Sequence, residues 1–268
     1  MIKKLLALLL CAAILSLFVS CGEKSNATLD EVLAEISPED YASSDLGADG
    51  SDLSSSDVSG EVTVTVKDAV KTEYQKSGSY TYSGTKIAYS YKYPQITLSG
   101  VNVSEINDDI KSYCQALIDV ELSAMNSGRK IGMTDMNYTA CVKGEALSLL
   151  ISSQFGSEYT LYETVNINIA TGSELSKNDI LNAAGLTSKD GDAKIKAAAE
   201  SKFTQVHGTV SDRSADEMID YEKAKSATSL DYDSDLQLYF AENGSLKAIV
   251  RIYKLGGDDY EYYEVSVK

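Results

Sequence analysis

The stretch LYETVNINI at residues 161–169 decides the fold, because its apolar side chains alternate with polar ones at a period of two. This period is typical of a strand with one buried face. Two more strands are predicted before it, near residues 138–142 and 147–151. Short links that contain glycine join the three strands, so we expect an antiparallel meander.

The rest of the chain is arranged in blocks of strands and blocks of helices. Period-two patterns predict a strand at 62–66, hairpins around Ser83-Gly84 and Asn243-Gly244, and a last strand at 260–267. Steps of three and four residues predict a helix from Ser104 to Gly128, with Val120 on its apolar face, and others at 179–181 and 195–206. Such blocks favour an α+β fold, an antiparallel sheet of hairpins with helices packed on one face, as one body or two lobes.

Composition and charge exclude several classes of function. The 268 residues carry a formal net charge of −16, and an acidic surface repels phosphate, so no nucleic acid partner is expected. The chain has a single histidine, His207. This count excludes a zinc site with two histidines and any catalysis by paired histidines.

The first 21 residues are typical of an exported bacterial lipoprotein. Lys3 and Lys4 precede a short apolar run, and Leu17-Phe18-Val19-Ser20-Cys21 resembles a lipobox, although Phe18 stands where Leu or Val is usual. We therefore predict a signal peptide at 1–20 and a diacylglycerol on Cys21, which anchors the chain at the extracytoplasmic face of the cell membrane. The alternative is an ordinary signal peptide with an incidental cysteine.

Residues 21–60 are predicted to be a disordered acidic spacer rich in serine and glycine, because apolar side chains are too sparse to offset the entropy of ordering. The α+β extracytoplasmic binding domain is predicted at 61–268. Two cysteines, Cys114 and Cys141, remain in it after export. They either form one disulfide or stay as two buried free thiols, and the sequence favours neither.

No catalytic, metal or cofactor residue is predicted. The acids Asp231, Asp233, Asp235 and Glu242 match the acidic positions of a calcium loop, but Leu236 replaces its required glycine, so a solvated lead-in to a strand is expected. His207 comes just before a glycine at a helix end, where the helix dipole favours an imidazolium. The GxSxG pattern of serine nucleophiles does not occur.

The tyrosines are the candidate ligand-binding side chains. The chain has 18 Tyr, 4 Phe and no Trp. Tyrosine offers a flat apolar ring and a hydroxyl, which suits recognition of proteins and glycans. The candidates are Tyr89, Tyr91, Tyr93, Tyr260, Tyr262 and Tyr263. The alternative is that these tyrosines are ordinary strand residues packed against the sheet.

Several stretches together resemble a known family. They are Tyr93-Pro94-Gln95-Ile96 with Ile106-Asn107, residues 164–169 with Thr171-Gly172, Leu175 and 179–181, and Ile252-Tyr253 with Gly256-Gly257. Over about residues 85–268 their order is similar to that of an extracellular domain of unknown function. This domain occurs in bacterial anti-sigma-V factors, which sense lysozyme, and beside some peptidoglycan deacetylase domains.

The resemblance implies a binding domain without an enzyme. Only Met1 to Lys4 precede the apolar run, so no direct contact with a sigma factor is expected, and one histidine cannot supply a deacetylase metal site. We expect a non-enzymatic surface lipoprotein that binds an envelope or extracellular ligand, for instance a cationic protein such as lysozyme. The alternatives are a wall-acting hydrolase with paired carboxylates and an envelope scaffold without a small ligand.

Overall fold

The computed structural model describes residues 64–211, 213–233 and 235–268. The predicted signal peptide, Cys21 and the spacer lie outside these residues. The helices are α1 (Val66–Ala69), α2 (Ser104–Asn126), α3 (Lys177–Ala183), α4 (Ser188–His207) and α5 (Ala215–Leu230). The strands are β1 (Val70–Tyr82), β2 (Thr85–Ile96), β3 (Asp135–Lys143), β4 (Ala146–Phe155), β5 (Tyr159–Asn168), β6 (Gln237–Phe240), β7 (Leu246–Tyr253) and β8 (Tyr260–Ser266). The predicted α+β class is confirmed.

The strands form two sheets, one of five strands in the order β1-β2-β3-β4-β5 and one of three in the order β6-β7-β8. All neighbours are antiparallel except β2 and β3, which run parallel where Ser90 and Tyr91 pair with Asp135 and Met136. The larger sheet is therefore mixed and not purely antiparallel as expected. The cause is α2, a crossover helix that returns the chain to the end of the sheet where β2 began.

The central strand β4 is buried on both faces. Leu147, Leu149 and Ile151 point to the face covered by α2, and Leu150 points to the opposite face. A side chain of α2 fixes this helix to the sheet, because the Asn107 amide both accepts from and donates to the backbone of Ile96, at 2.8 Å each. The meander predicted from the period of two is thus confirmed as β3, β4 and β5.

The smaller sheet packs between the larger sheet and the remaining helices. On one face of β7, Ala248, Val250 and Ile252 contact the buried sides of α3, α4 and α5. On its other face, Ile249 packs with Leu150 of β4. The described residues form one compact unit rather than two separate lobes.

Two local predictions are wrong. Residues 66–69 form α1, and β1 begins only at Val70, so the predicted strand at 62–66 does not continue into the described part of the chain. Val120 of α2 is 56% exposed, and Glu121 lies on the buried side in its place. An α-helix has 3.6 residues per turn, so the pattern allows either Val120 or Glu121 on the buried side of α2. The contacts of Glu121 described below place Glu121 there.

After β5, Thr171-Gly172 makes the predicted turn, and this turn lies close to residues 101–103. Gly172 has φ +74, and a Cβ on it would lie 2.6 Å from Cγ1 of Val101 and 3.1 Å from the carbonyl oxygen of Asn102. The turn leads into α3, where Ser176 and Asp179 form a reciprocal capping box. The position therefore needs glycine both for its backbone conformation and for space.

We predict that Gly172→Ala lowers the free energy of unfolding by about 1–3 kcal/mol more than Gly144→Ala does. Gly144 also has a positive φ, but a Cβ there meets nothing within 4 Å, so the difference isolates the steric contact. Urea unfolding of both variants measures it. Equal destabilisation by the two substitutions would contradict this packing.

Candidate functional site

The tyrosines of β2 are core side chains. Tyr91 and Tyr93 are 1% and 2% exposed, beneath α2. The Tyr91 hydroxyl donates to the carbonyl oxygen of Met133 at 2.8 Å, and the Tyr93 ring stacks on Tyr74 at 5.3 Å between centroids. Tyr89 is half-buried and stacks on Tyr91. This burial favours the strand-packing interpretation for Tyr91 and Tyr93, and ligand binding by Tyr89, Tyr91 and Tyr93 stays a prediction.

The tyrosines of β8 do not form one patch. Successive side chains of a strand point to opposite faces, so Tyr260 and Tyr262 share a face and Tyr263 points to the other. Tyr263 lies against α4, where the ammonium of Lys202 is 4.9 Å from its ring centroid. Only Tyr260 and Tyr262 of the predicted set are brought together on an accessible face.

Two side chains of β7 join them to form what we call the tyrosine–arginine cluster: Arg251, Tyr253, Tyr260 and Tyr262. The guanidinium of Arg251 lies 4.4 Å from the Tyr260 ring centroid. The Tyr260 ring contacts those of Tyr253 and Tyr262 at 5.6 Å and 5.5 Å between centroids. Tyr260 is 37% exposed, so its ring is available at the centre of the cluster.

Two aspartates of the loop before β6 hold the cluster in position. Asp231 accepts a hydrogen bond from the Tyr253 hydroxyl at 2.6 Å, and this bond raises the pKa of Tyr253. Asp235 forms an ion pair with Arg251 and accepts from the Tyr262 hydroxyl at 3.4 Å. Asp235 has φ 52, a left-handed conformation that aspartate tolerates better than most residues. Two of the four acids considered for a calcium loop, Asp231 and Asp235, thus contact tyrosine and arginine.

Two carboxylates lie in the turn directly before Tyr260, the central residue of the cluster. Asp258 and Asp259 are exposed in the turn before β8, and Asp258 forms an ion pair with Lys223 at 2.9 Å, at the exposed surface of α5. Ion pairs at such exposure contribute little to stability. Tyrosine rings near carboxylates attract a lysine or arginine side chain, and Arg251 over Tyr260 already shows the contact of a cation with a ring within the chain.

His207 has a structural contact. Its Nε2 lies 2.8 Å from the carbonyl oxygen of Tyr253, and its ring packs on Phe203 at 4.6 Å. The helix ends there, as predicted, with Gly208 in a positive-φ conformation. These contacts link the end of α4 to the strand that carries the tyrosine–arginine cluster.

The two cysteines lie on opposite faces of the larger sheet. Cys141 belongs to the core cluster that the smaller sheet forms with α3, α4 and α5, whereas Cys114 lies on α2, on the far side of the larger sheet. Both are buried free thiols, and burial raises the pKa of each. The alternative of a Cys114–Cys141 disulfide is therefore wrong, because β3 and β4 stand between the two sulfur atoms.

Sequence reasoning missed two buried carboxylates between α2 and the larger sheet, one on the helix and one on β5. Glu121 accepts a hydrogen bond from the backbone N–H of Gly132 at 2.7 Å, which fixes the chain before β3. Glu163 is 7% exposed on β5. The sequence carried a signal for Glu163, since it occupies an apolar position in the alternation of residues 161–169.

Burial raises the pKa of Glu163 to about 7, and the nearby charge of Glu174 acts in the same direction. Beside it, the hydroxyl of Tyr113 is buried, and it has no hydrogen-bond partner among the residues that the structure describes. An acid with this pKa could donate a proton at neutral pH, but it would need access to a substrate. Neither the groove between α4 and β8 nor the one beside the β4–β5 turn is lined by Glu163 or Glu121.

Within residues 64–211, 213–233 and 235–268, no three His, Cys, Asp or Glu side chains are grouped so that they could hold a metal ion. No helix in the same part of the chain is long and apolar enough to cross a membrane. Neither a family model nor a curated protein matches this chain. The resemblance to the anti-sigma-V extracellular domain therefore stays a prediction.

We predict that Glu163→Gln removes a pH dependence of stability. Below pH 4.5 the carboxyl is protonated in both the folded and unfolded states, whereas above about 7 folding buries an anion, so the native chain loses stability as pH rises through this range. At pH 8 the variant gains up to about 3 kcal/mol over the native chain relative to their difference at pH 4.

Urea unfolding at both pH values measures this gain. Glu158→Gln, at an exposed position, is the matched control and should leave the pH profile unchanged. A constant difference between Glu163→Gln and the native chain across the pH range would contradict the assignment.

Proposed function

We propose that this chain is a non-enzymatic bacterial surface lipoprotein that binds a cationic protein, of the lysozyme type, through the tyrosine–arginine cluster. The observation that carries the proposal is the exposed Tyr260 ring, held between two other tyrosines and directly preceded in the chain by the exposed Asp258 and Asp259. Tyrosine and arginine are the side chains that most often dominate binding energy at protein interfaces.

The rigidity of the cluster supports a binding role. Tyr253 and Tyr262 are fixed by hydrogen bonds to Asp231 and Asp235, and Arg251 is fixed by its ion pair. Because these side chains are already ordered, a partner pays little conformational entropy to dock on them. A preorganised aromatic surface with exposed carboxylates directly before Tyr260 in the chain suits lysine and arginine side chains of the partner.

The overall charge supports the same class of partner at longer range. The net charge of −16 becomes −18 once a signal peptide with Lys3 and Lys4 is removed. Such a charge speeds the encounter with a cationic protein and excludes anionic ones. This attraction falls as salt rises, because counterions screen charges beyond about 8 Å at physiological ionic strength.

The hydrolase alternative requires two carboxyl groups about 5–9.5 Å apart in an open cleft. Glu163 has the raised pKa of a general acid, but it is buried beneath α2 and borders neither groove. This burial favours the binding proposal. The scaffold alternative predicts binding to other envelope proteins that does not depend on the tyrosine–arginine cluster.

We predict that Cys21→Ser moves the full chain from the membrane fraction of a bacterial host to the soluble fraction. Two acyl chains give stable attachment, since each buried methylene contributes about 0.8 kcal/mol. Cys11→Ser, within the predicted signal peptide, is the control and should leave the chain in the membrane fraction. If the Cys21→Ser chain stays membrane-bound, the lipid anchor is wrong.

We predict that Tyr260→Ala weakens binding of the full chain to lysozyme about tenfold or more at low salt, because it removes the centre of the cluster. Titration calorimetry with the detergent-solubilised chain measures the affinity. Tyr82→Ala, on the hairpin of the larger sheet, is the matched control and should bind as the native chain does.

A second pair of variants separates local from overall charge. Asp258→Asn with Asp259→Asn should weaken binding more than Asp108→Asn with Asp216→Asn, although both pairs change the net charge equally. If the two pairs of variants weaken binding equally, the preference for a cationic partner depends on the net charge alone. If the native chain forms no complex with lysozyme at low salt, lysozyme is not the ligand.

A further inference from the structure

The last strand of the chain has a free edge. In the order β6-β7-β8, the strand β8 pairs only with β7, and within the described residues no strand pairs with its other side. The N–H of Val267 donates to Leu246 and the N–H of Lys254 donates to the carbonyl of Asp259. Odd-numbered residues of β8 therefore bond to β7, and four even-numbered ones, Tyr260, Tyr262, Glu264 and Ser266, direct their N–H and C=O groups outward.

This edge lacks two of the devices that usually protect a sheet from pairing, a proline and a β-bulge. It runs for seven residues without a proline, and its register with β7 has no bulge. Its sequence, YEYYEVS, is rich in strand-forming side chains. An open edge of this kind is a ready template for another strand.

One face of the helix α4, beside the edge, carries small side chains. A groove of about 650 Å³ lies between α4 and the end of β8. Ala193, Ala197 and Ser201 line it at steps of four residues, so they form one exposed face of α4. Small side chains on a helix face let a second helix approach closely.

Charge along the edge changes sign from one end to the other. Asp258 and Asp259 precede β8, whereas Lys268 follows it, and Lys194 donates to the carbonyl oxygen of Lys268 at this second end. A copy of the same edge that runs antiparallel brings the acidic end of one chain beside the basic end of the other. The edge is therefore complementary to itself.

We propose that two copies of this chain pair through the free edges of β8, antiparallel, about a two-fold axis at Tyr263. This register is the one that uses all four outward-facing residues of each copy. Tyr262 pairs with Glu264 of the second copy and Tyr260 pairs with its Ser266, while Asp258 lies opposite its Lys268. The two small sheets become one sheet of six strands, and the Ala193–Ser201 faces of the two α4 helices meet.

The dimer goes beyond the proposed function, since it requires no ligand. Because the axis is perpendicular to the sheet, it leaves both tyrosine–arginine clusters on the same face of the joined sheet. A cationic partner with two basic patches would then meet two sites at once, which raises its apparent affinity.

Crosslinking on intact bacteria tests the register. Tyr263 of each copy would face its equivalent in a pair without hydrogen bonds, where the Cα atoms are about 4.5 Å apart and a disulfide fits. We expect the full chain with Tyr263→Cys to give a disulfide-linked dimer on a non-reducing gel. Ser226→Cys, at an exposed position on α5, is the control and should stay monomeric.

Sedimentation of the detergent-solubilised full chain tests the interface without a new cysteine. Ala197→Glu, which places a charged side chain on the small face of α4, and Ser266→Pro, which removes an outward N–H, should each raise the dimer dissociation constant about tenfold or more. Ala215→Glu makes the same change at an exposed position outside the groove and should leave the dimer intact. Circular dichroism checks that each variant is folded.

The outcomes are distinct from those of the ligand test. A native chain that stays monomeric at every concentration, together with no Tyr263→Cys dimer, would overturn the proposal. A Tyr263→Cys adduct whose mass includes a different protein would also overturn it, in favour of a foreign strand at the same edge. Lysozyme binding by a monomer would leave the proposed function standing and remove only the dimer.

Discussion

The burial of β4 on both faces is the constraint on which the rest of the structure depends. Leu149 and Leu150 are neighbours in the chain, yet they belong to cores on opposite sides of the same sheet. One core needs α2 as its cover and the other needs the three-stranded sheet, so the domain is built in layers around this strand. The layers also separate Cys114 from Cys141 and keep Glu163 away from solvent.

The position of the tyrosine–arginine cluster follows from how the smaller sheet is attached. The amide of Asn166 on β5 donates to the carbonyl of Leu238, and the amide of Gln237 donates to that of Tyr162, which fixes β6 across the edge of the larger sheet. On the face that carries the cluster, the larger sheet covers only the part of the smaller sheet near Ile249. The far ends of β7 and β8, with Arg251 and Tyr260, extend past this cover and remain accessible.

The sequence predicted the elements whose burial follows a simple period, including the β3–β5 meander, α2 and the turn at Gly172. It did not predict the parallel pairing of β2 with β3, because strand order depends on the path of α2 through space. Alternation also places tyrosines on a face without saying what covers that face, and this is why Tyr91 proved to be core while Tyr260 is exposed. Glu163 was visible as a charged residue in an apolar register, but its raised pKa comes from layers that only the fold assembles.

The central claim is that the uncovered end of the smaller sheet is a binding surface for a cationic protein. Hydrogen–deuterium exchange of the full chain, with and without lysozyme at low salt, tests it most directly. The account predicts slower exchange in peptides that cover Arg251–Tyr253 and β8, and unchanged exchange in the β1–β2 hairpin. Protection confined to that hairpin or to α2, or no protection anywhere, would contradict it.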